Sequence, residues 1–166
     1  MNRLFVFLGN PGSEYRGTRH NIGWAICDRM CAGTNWQTRF HGQFAKTAEE
    51  IYLRPLTFMN LSGISVREAA AFFKVGIEDI LVFHDDTELD FGEVLLKKGG
   101  GLKGHNGLRS IAKELGGPGF CRLRFGVGRP AGNRDLASFV LGRFSPDEET
   151  QLDYLIGQAV KLAREW

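Results

Sequence analysis

No stretch of the chain approaches the ~18 consecutive apolar residues of a membrane span, so a transmembrane helix is not expected. The N-terminus, MNRLFVFLGNPG, has no small-residue cleavage site and runs into a Gly-Pro turn, and it reads as a first strand rather than a signal peptide. Cysteine is scarce: there are three, Cys27, Cys31 and Cys121. An odd number without framework spacing excludes a disulfide scaffold and points to reduced thiols in the cytoplasm. Cys27 and Cys31 would form half a zinc site, but no second Cys/His pair at ligand spacing follows, so they read as small buried hydrophobes. The chain has no G-K-[ST] and no G-x-S-x-G, which removes a P-loop and an elbow-type serine nucleophile. GVGRPA, from Gly126, resembles a dinucleotide fingerprint only superficially, because Pro130 and Gly132 break the helix such a motif requires.

The net charge of +2 does not by itself mark a nucleic-acid binder. Its distribution is more informative. Lys97, Lys98, Lys103, Arg109, Arg122, Arg124, Arg129 and Arg134 form a local basic excess relieved mainly by Glu114. Such a stretch is either a solvated face or a phosphate-binding patch.

With 166 residues, 43% of them hydrophobic, the chain is long enough for a single domain, 1–166, with a sizeable core. RLFVFLG reads as a buried strand stopped by a turn. Thr18 is placed to cap a helix through about Met30. Residues 36–56 hold three strand-like pieces, the last being IYLRPL, and a helix follows over about 60–74. DILVFHDD is a further strand. GEVLLKK comes after a short turn, as in a mixed or antiparallel pair. A glycine loop, a helix at 105–115 and the strand CRLRFGVG follow. Ser145-Pro146-Asp147-Glu148 combines an N-cap, a proline at the first helical position and a capping glutamate ahead of the last helix. Strands alternating with helices predict an α/β fold, a single-domain α/β/α sandwich around a mixed, mostly parallel twisted sheet.

In open α/β sheets, ligands bind beyond the carboxyl ends of the parallel strands. Asn10, His20, Asn60, Asp85, His105 and Asn106 all follow a strand or open a helix. They converge on one rim if the first, IYLRPL and DILVF strands are parallel. His20, in the first turn of a helix, would be kept neutral by the helix dipole. With Asp85 as an orienting carboxylate it makes a general base. HDD, His84 to Asp86, resembles the metal pair of helical phosphohydrolases, but it ends a strand and the chain has only four histidines. No metal ion and no cofactor are therefore expected.

Taken together these blocks resemble bacterial peptidyl-tRNA hydrolase: LGNPGSEYRGTRHNIGW, PLTFMNLSG, HDDTELDFGEVLLKKGGGLKGHNGLRSI and FCRLRFGVGRP, in this order. The resemblance implies a cytoplasmic, monomeric enzyme of translation that cleaves the ester between a peptide and the 3′ ribose of tRNA. It implies His20 as base and Asp85 as its carboxylate partner. Asn10, Asn60 and Asn106 hold substrate and water, Tyr15 and Met59 lie by the substrate, and His105 sits near the mouth of the cleft. Lys97 and Arg124 meet tRNA phosphates. Lys103 stands where the family usually has a small residue, and Leu95 where it often has a second basic one, so Lys103 supplies replacement charge. The family usually continues past the last helix, which makes the end at Trp166 a shortened tRNA-contacting tail. Two other readings stay open: a catalytically idle RNA-binding protein of the same fold, and a metal-dependent peptidase.

Overall fold

The computed structural model describes residues 2–132 and 134–166. In chain order the elements are β1 (Arg3–Phe7), α1 (Ile22–Met30), β2 (Gln37–Arg39), β3 (Gly42–Lys46), β4 (Glu50–Pro55), α2 (Ser62–Phe73), β5 (Ile80–Asp86), β6 (Val94–Lys98), α3 (Asn106–Leu115), β7 (Cys121–Gly126), α4 (Leu136–Val140) and α5 (Pro146–Arg164). The strands form one seven-stranded sheet in the order β2-β3-β4-β1-β5-β7-β6. β4, β1, β5 and β7 run parallel, while β3 and β6 run against them.

All seven residues of β5 are buried. A strand covered on both faces needs apolar residues on both, as ILVF supplies, and parallel strands are covered this way by crossover helices. Phe5, Phe7 and Phe83 pack with α1 and α5 on one face of the sheet. Leu4, Val6, Leu8 and Val82 pack with α2 and α3 on the other. The alternation of Phe5 and Phe7 with Leu4 and Val6 is the period of two that sends successive side chains to opposite layers. Helices on both faces make the sandwich.

The turn after β5 does not lead back into a hairpin. Both edges of β5 are taken, by β1 and β7, so β6 passes beyond and pairs antiparallel with β7 at the sheet margin. The start of the first helix also differs from expectation. Thr18 makes no side-chain cap; its hydroxyl donates to the Tyr15 carbonyl at 2.8 Å. A 3-10 turn, Arg19–Asn21, precedes α1, and α2 likewise begins only at Ser62 after a 3-10 turn, Met59–Leu61. At α5 the local signals hold: Ser145 and Glu148 form a reciprocal capping box with Pro146 inside it.

Two glycines set close approaches. A Cβ at Gly23 would lie 2.5 Å from the Leu8 carbonyl oxygen and 2.8 Å from that of Phe83. Only glycine therefore lets the first turn of α1 rest on the ends of β1 and β5, which brings His20 within reach of Asp85. A Cβ at Gly63 would lie 2.1 Å from the Ser110 carbonyl oxygen, and the Gly63 N–H donates to Ser110 Oγ at 2.8 Å. That contact locks α2 to α3. Cys27, Cys31 and Cys121 are free and buried; a hydrogen bond to Cys31, with burial, pushes the Cys27 thiol up. Among the described residues, no helix is long and apolar enough to cross a membrane.

Candidate active site

β1, β4 and β5 are mutually parallel, so the loops after them open on one rim. A cleft of about 370 Å³ lies there, and Asn10, His20, Met59, Asn60, Asp85, His105 and Asn106 all line it. Phe58, Leu136, Val140 and Leu141 form apolar walls.

Asp85 is the buried centre. His20 Nδ1 lies 3.0 Å from its Oδ1 and 2.9 Å from its Oδ2. His105 Nε2 lies 2.8 Å from Oδ1. The hydrogen-bond pattern assigns the tautomers. His105 is the N-cap of α3, and its Nδ1 accepts from the N–H groups of Gly107 at 3.1 Å and Leu108 at 3.3 Å. The ring hydrogen is therefore on Nε2, donated to Asp85. His20 donates from Nδ1, which leaves its Nε2 with a lone pair. Two N–H donors thus converge on one carboxylate.

Burial alone would raise the carboxyl pKa of Asp85. The electrostatic pull of His20 and His105, with their hydrogen bonds, outweighs it and holds the group well below the usual carboxylate range. For His20 the balance also falls to Asp85. Burial pushes the ring down, but the carboxylate's charge and hydrogen bond raise it above 6.5. This corrects the expectation that the helix dipole lowers it. His20 sits in the 3-10 turn before α1, and a carboxylate 2.9 Å away outweighs half a charge spread over a helix end.

His84, next to this centre, donates from Nδ1 to the Asp85 carbonyl at 2.8 Å. Its Nε2 has no partner among the described residues, and burial pulls its pKa down to about 4. It is a neutral ring beneath His105, with ring centroids 5.3 Å apart.

Asn10 and Asn21 clasp the loop after β1. The Asn10 N–H donates to Asn21 Oδ1, and Asn21 Nδ2 donates to the Asn10 carbonyl, each at 2.9 Å. Asn10 Oδ1 accepts the Met59 N–H at 2.7 Å, which fixes the amide and leaves Nδ2 as its free end. The site thus combines a largely buried imidazole bonded to a carboxylate, a cleft with apolar walls and three amides, groups able to act as a base and as hydrogen-bond donors.

A family model described as peptidyl-tRNA hydrolase matches residues 4–166. The chain belongs to the peptidyl-tRNA hydrolase family. A peptidyl-tRNA hydrolase of Sulfurovum sp. (strain NBC37-1) is 46% identical over 157 residues, covering 92% of this chain and 82% of that one. One from Geotalea daltonii is 44% identical over 176 residues, with 96% and 87% covered. The crystal structure of peptidyl-tRNA hydrolase from Acinetobacter baumannii superposes with a TM-score of 0.89 at 38% identity, covering 96% of this chain and 85% of that one.

Within this peptidyl-tRNA hydrolase fold, several expected positions are refined. His105 is not at the mouth of the cleft: its side chain is only 8% exposed and bonded to Asp85. Tyr15 does not line the cleft. It packs edge-on against Phe58, ring centroids 6.3 Å apart, and Phe58 does line it. Lys97, Lys103 and Arg124 share a small recess beside the cleft with His84 and Asp86, and Lys103 lines both. Arg124 is half-committed, since its Nε donates to Asp86 Oδ2 at 2.7 Å. Arg122 leaves the basic patch. It is buried, and its guanidinium donates to the carbonyls of Gly101 at 2.5 Å, Gly100 at 3.0 Å and Pro118 at 2.9 Å. It thereby pins the glycine loop from below. Leu95 is exposed.

Sequence reasoning missed Asn21. It is buried and holds the Asn10 loop, and its position two residues before Gly23 was the only local signal. It also missed Arg19, whose partners lie more than 100 residues away.

Proposed function

We propose that the chain hydrolyses the ester between a peptide, or an N-blocked aminoacyl group, and the 3′ ribose of tRNA, through water activated by His20 without a metal ion. The observation that carries this reading is the hydrogen bonding of His20 and His105 to Asp85. It orients His20 with Nδ1 as donor and Nε2 as the free base. Nε2 takes a proton from water, and the hydroxide attacks the ester carbonyl. The amides of Asn10, Asn60 and Asn106 stabilise the oxyanion and hold the peptide backbone; one such preorganised donor contributes about 3 kcal/mol to the barrier. The imidazolium, held by Asp85, returns its proton to the departing 3′-oxygen. The apolar walls take acyl side chains, and Lys97, Lys103 and Arg124 meet tRNA phosphates.

The donor set argues against a metal at the same place, although His20, Asp85 and His105 offer ligand atoms within 4.8 Å of one another. A cation would need the His105 Nε2 lone pair. That would put the ring hydrogen on Nδ1, facing the two N–H groups of Gly107 and Leu108. The test is release of the blocked amino acid from N-acetyl-aminoacyl-tRNA by the purified chain, with and without EDTA. Hydrolysis unchanged by EDTA is expected. Loss on chelation with rescue by a divalent ion would overturn the metal-free mechanism, and tight tRNA binding without hydrolysis would favour the RNA-binding alternative.

The basic recess makes a separate prediction. Phosphate contacts position the substrate and release counterions. Lys97→Ala and Lys103→Gly are each expected to raise KM for tRNA substrates about three- to tenfold. Each should flatten the slope of log(kcat/KM) against log[salt] by about one unit. Lys103 has φ of +53°, a conformation that glycine adopts without cost. Lys103→Gly is therefore expected to raise thermal stability, by about 1 kcal/mol, while it weakens tRNA binding. An unchanged salt slope would place the residue off the tRNA path.

A further inference from the structure

The short helix α4 forms one wall of the cleft through Leu136, Ala137, Val140 and Leu141, yet none of its own residues is buried. A five-residue helix has no cooperative stability of its own, and with so little covered surface it has weak hydrophobic adhesion. Arg19, the residue before His20, supplies the attachment. Its side chain is 12% exposed. Its Cζ lies 3.9 Å from the centre of the Phe139 ring, and Nη1 donates to the Phe139 carbonyl at 3.0 Å. Nη2 lies 3.6 Å from Glu148 Oε1, the same oxygen that accepts the Ser145 N–H in the capping box of α5. The backbone continues the attachment: the Arg19 N–H donates to the Gly142 carbonyl at 3.0 Å, and Thr18 forms an antiparallel bridge with Arg143.

Arg19 thus joins α4, the chain leaving it and the start of α5 to the turn that carries His20. Phe58 and Met59 line the same cleft, and Met59 is itself fixed by Asn10. One wall is tied to the body of the fold; α4 is held by the Arg19 guanidinium together with the half-buried Phe139 ring and the backbone contacts at Gly142 and Arg143. We infer that Arg19 is a positioning residue that sets the width of the cleft and so determines how tightly an apolar side chain of the acyl group is gripped. The inference rests on the hydrolase reading above. It concerns substrate selection and not the chemical step, because Arg19 touches α4 and Glu148 while the bonds of His20 run to Asp85.

The test compares N-acetyl-phenylalanyl and N-acetyl-glycyl groups loaded onto one and the same tRNA, so that the two substrates share the RNA and differ only in the group α4 would contact. Arg19→Met keeps the bulk of the side chain and removes both the stacking charge and the donors. It is expected to raise KM for the phenylalanyl substrate about tenfold, from the cation–π and hydrogen-bond loss, and for the glycyl substrate less than about twofold. kcat and the acidic limb of the pH–rate profile should stay as in wild type, which a general loss of folding or a displaced His20 would not allow. Phe139→Ala removes the stacking partner from the α4 side and should reproduce the selective rise, which keeps the idea testable should Arg19→Met fail to fold. An equal KM rise for both substrates, a fall in kcat, or a shifted acidic limb would overturn the assignment. Wild type that cleaves neither substrate would instead overturn the hydrolase reading itself.

Discussion

His20→Ala is expected to lower kcat on N-acetyl-aminoacyl-tRNA by ~10² to 10⁴, the range a positioned proton-transfer group contributes. Nε2 of His20 is the one ring nitrogen of the His20–Asp85–His105 cluster left with a lone pair, since His20 Nδ1 and His105 Nε2 both donate to Asp85 and His105 Nδ1 accepts from the backbone. His84 also has an Nε2 without a partner among the described residues, but its ring is buried, 2% exposed. tRNA affinity should change little, because the ring would be one small contact on a polyanion that, in the proposed reading, is held elsewhere by Lys97, Lys103 and Arg124. Some fold stability should be lost as well, because the buried Asp85 carboxylate gives up one of its two ring N–H donors. Single-turnover hydrolysis and tRNA affinity measured on one preparation separate the two quantities. Hydrolysis at the wild-type rate would refute His20 as base.

Asp85→Asn carries the second large effect, and its sign follows from the charge balance on His20. A general base works deprotonated, so kcat/KM falls as pH drops through its pKa. In the wild type Asp85 outweighs burial and raises that pKa above 6.5, so the acidic limb should lie above pH 6.5. Asparagine removes the negative charge and leaves the burial, which lowers the pKa, so the limb should move below 6.5. The maximal rate should nevertheless fall about tenfold to a hundredfold, because the imidazolium formed during attack loses the charge that stabilises it. Asparagine also offers one acceptor oxygen where two N–H donors converge, so the orientation of both rings is loosened. A limb that stays in place would mean that a different group titrates.

Much of this was readable from local signals. The apolar run of β1, the Ser-Pro-Asp-Glu start of α5 and the three short strands before Pro55 are short-range patterns, and each forms where those patterns predict. The convergence of Asn10, His20, Asn60, Asp85 and Asn106 also followed from the sequence. It needs only the rule that parallel strands present their carboxyl ends on one rim, and β1, β4 and β5 are parallel.

What the sequence could not determine depends on neighbours far along the chain. Arg122 and Arg124 lie two apart on one strand and point to the same face, yet one is buried under the glycine loop and the other meets Asp86. The difference arises because that loop folds back over Arg122 alone. His105 is expected near the mouth of the cleft, at the start of the helix after the glycine loop, and capping α3 turns its ring inward onto Asp85. β6 was separated from β5 because β7, placed by the crossover through α3, takes the free edge of β5 first. Arg19 reads as a charged neighbour of His20 until α4, 120 residues later, is brought against it. Periodicity and capping act over one or two turns of chain, so the sequence by itself determined the elements, their layers and the rim. Which charged groups are buried, paired or left free depends on the desolvation and contacts imposed by distant segments, and only the tertiary structure decided that.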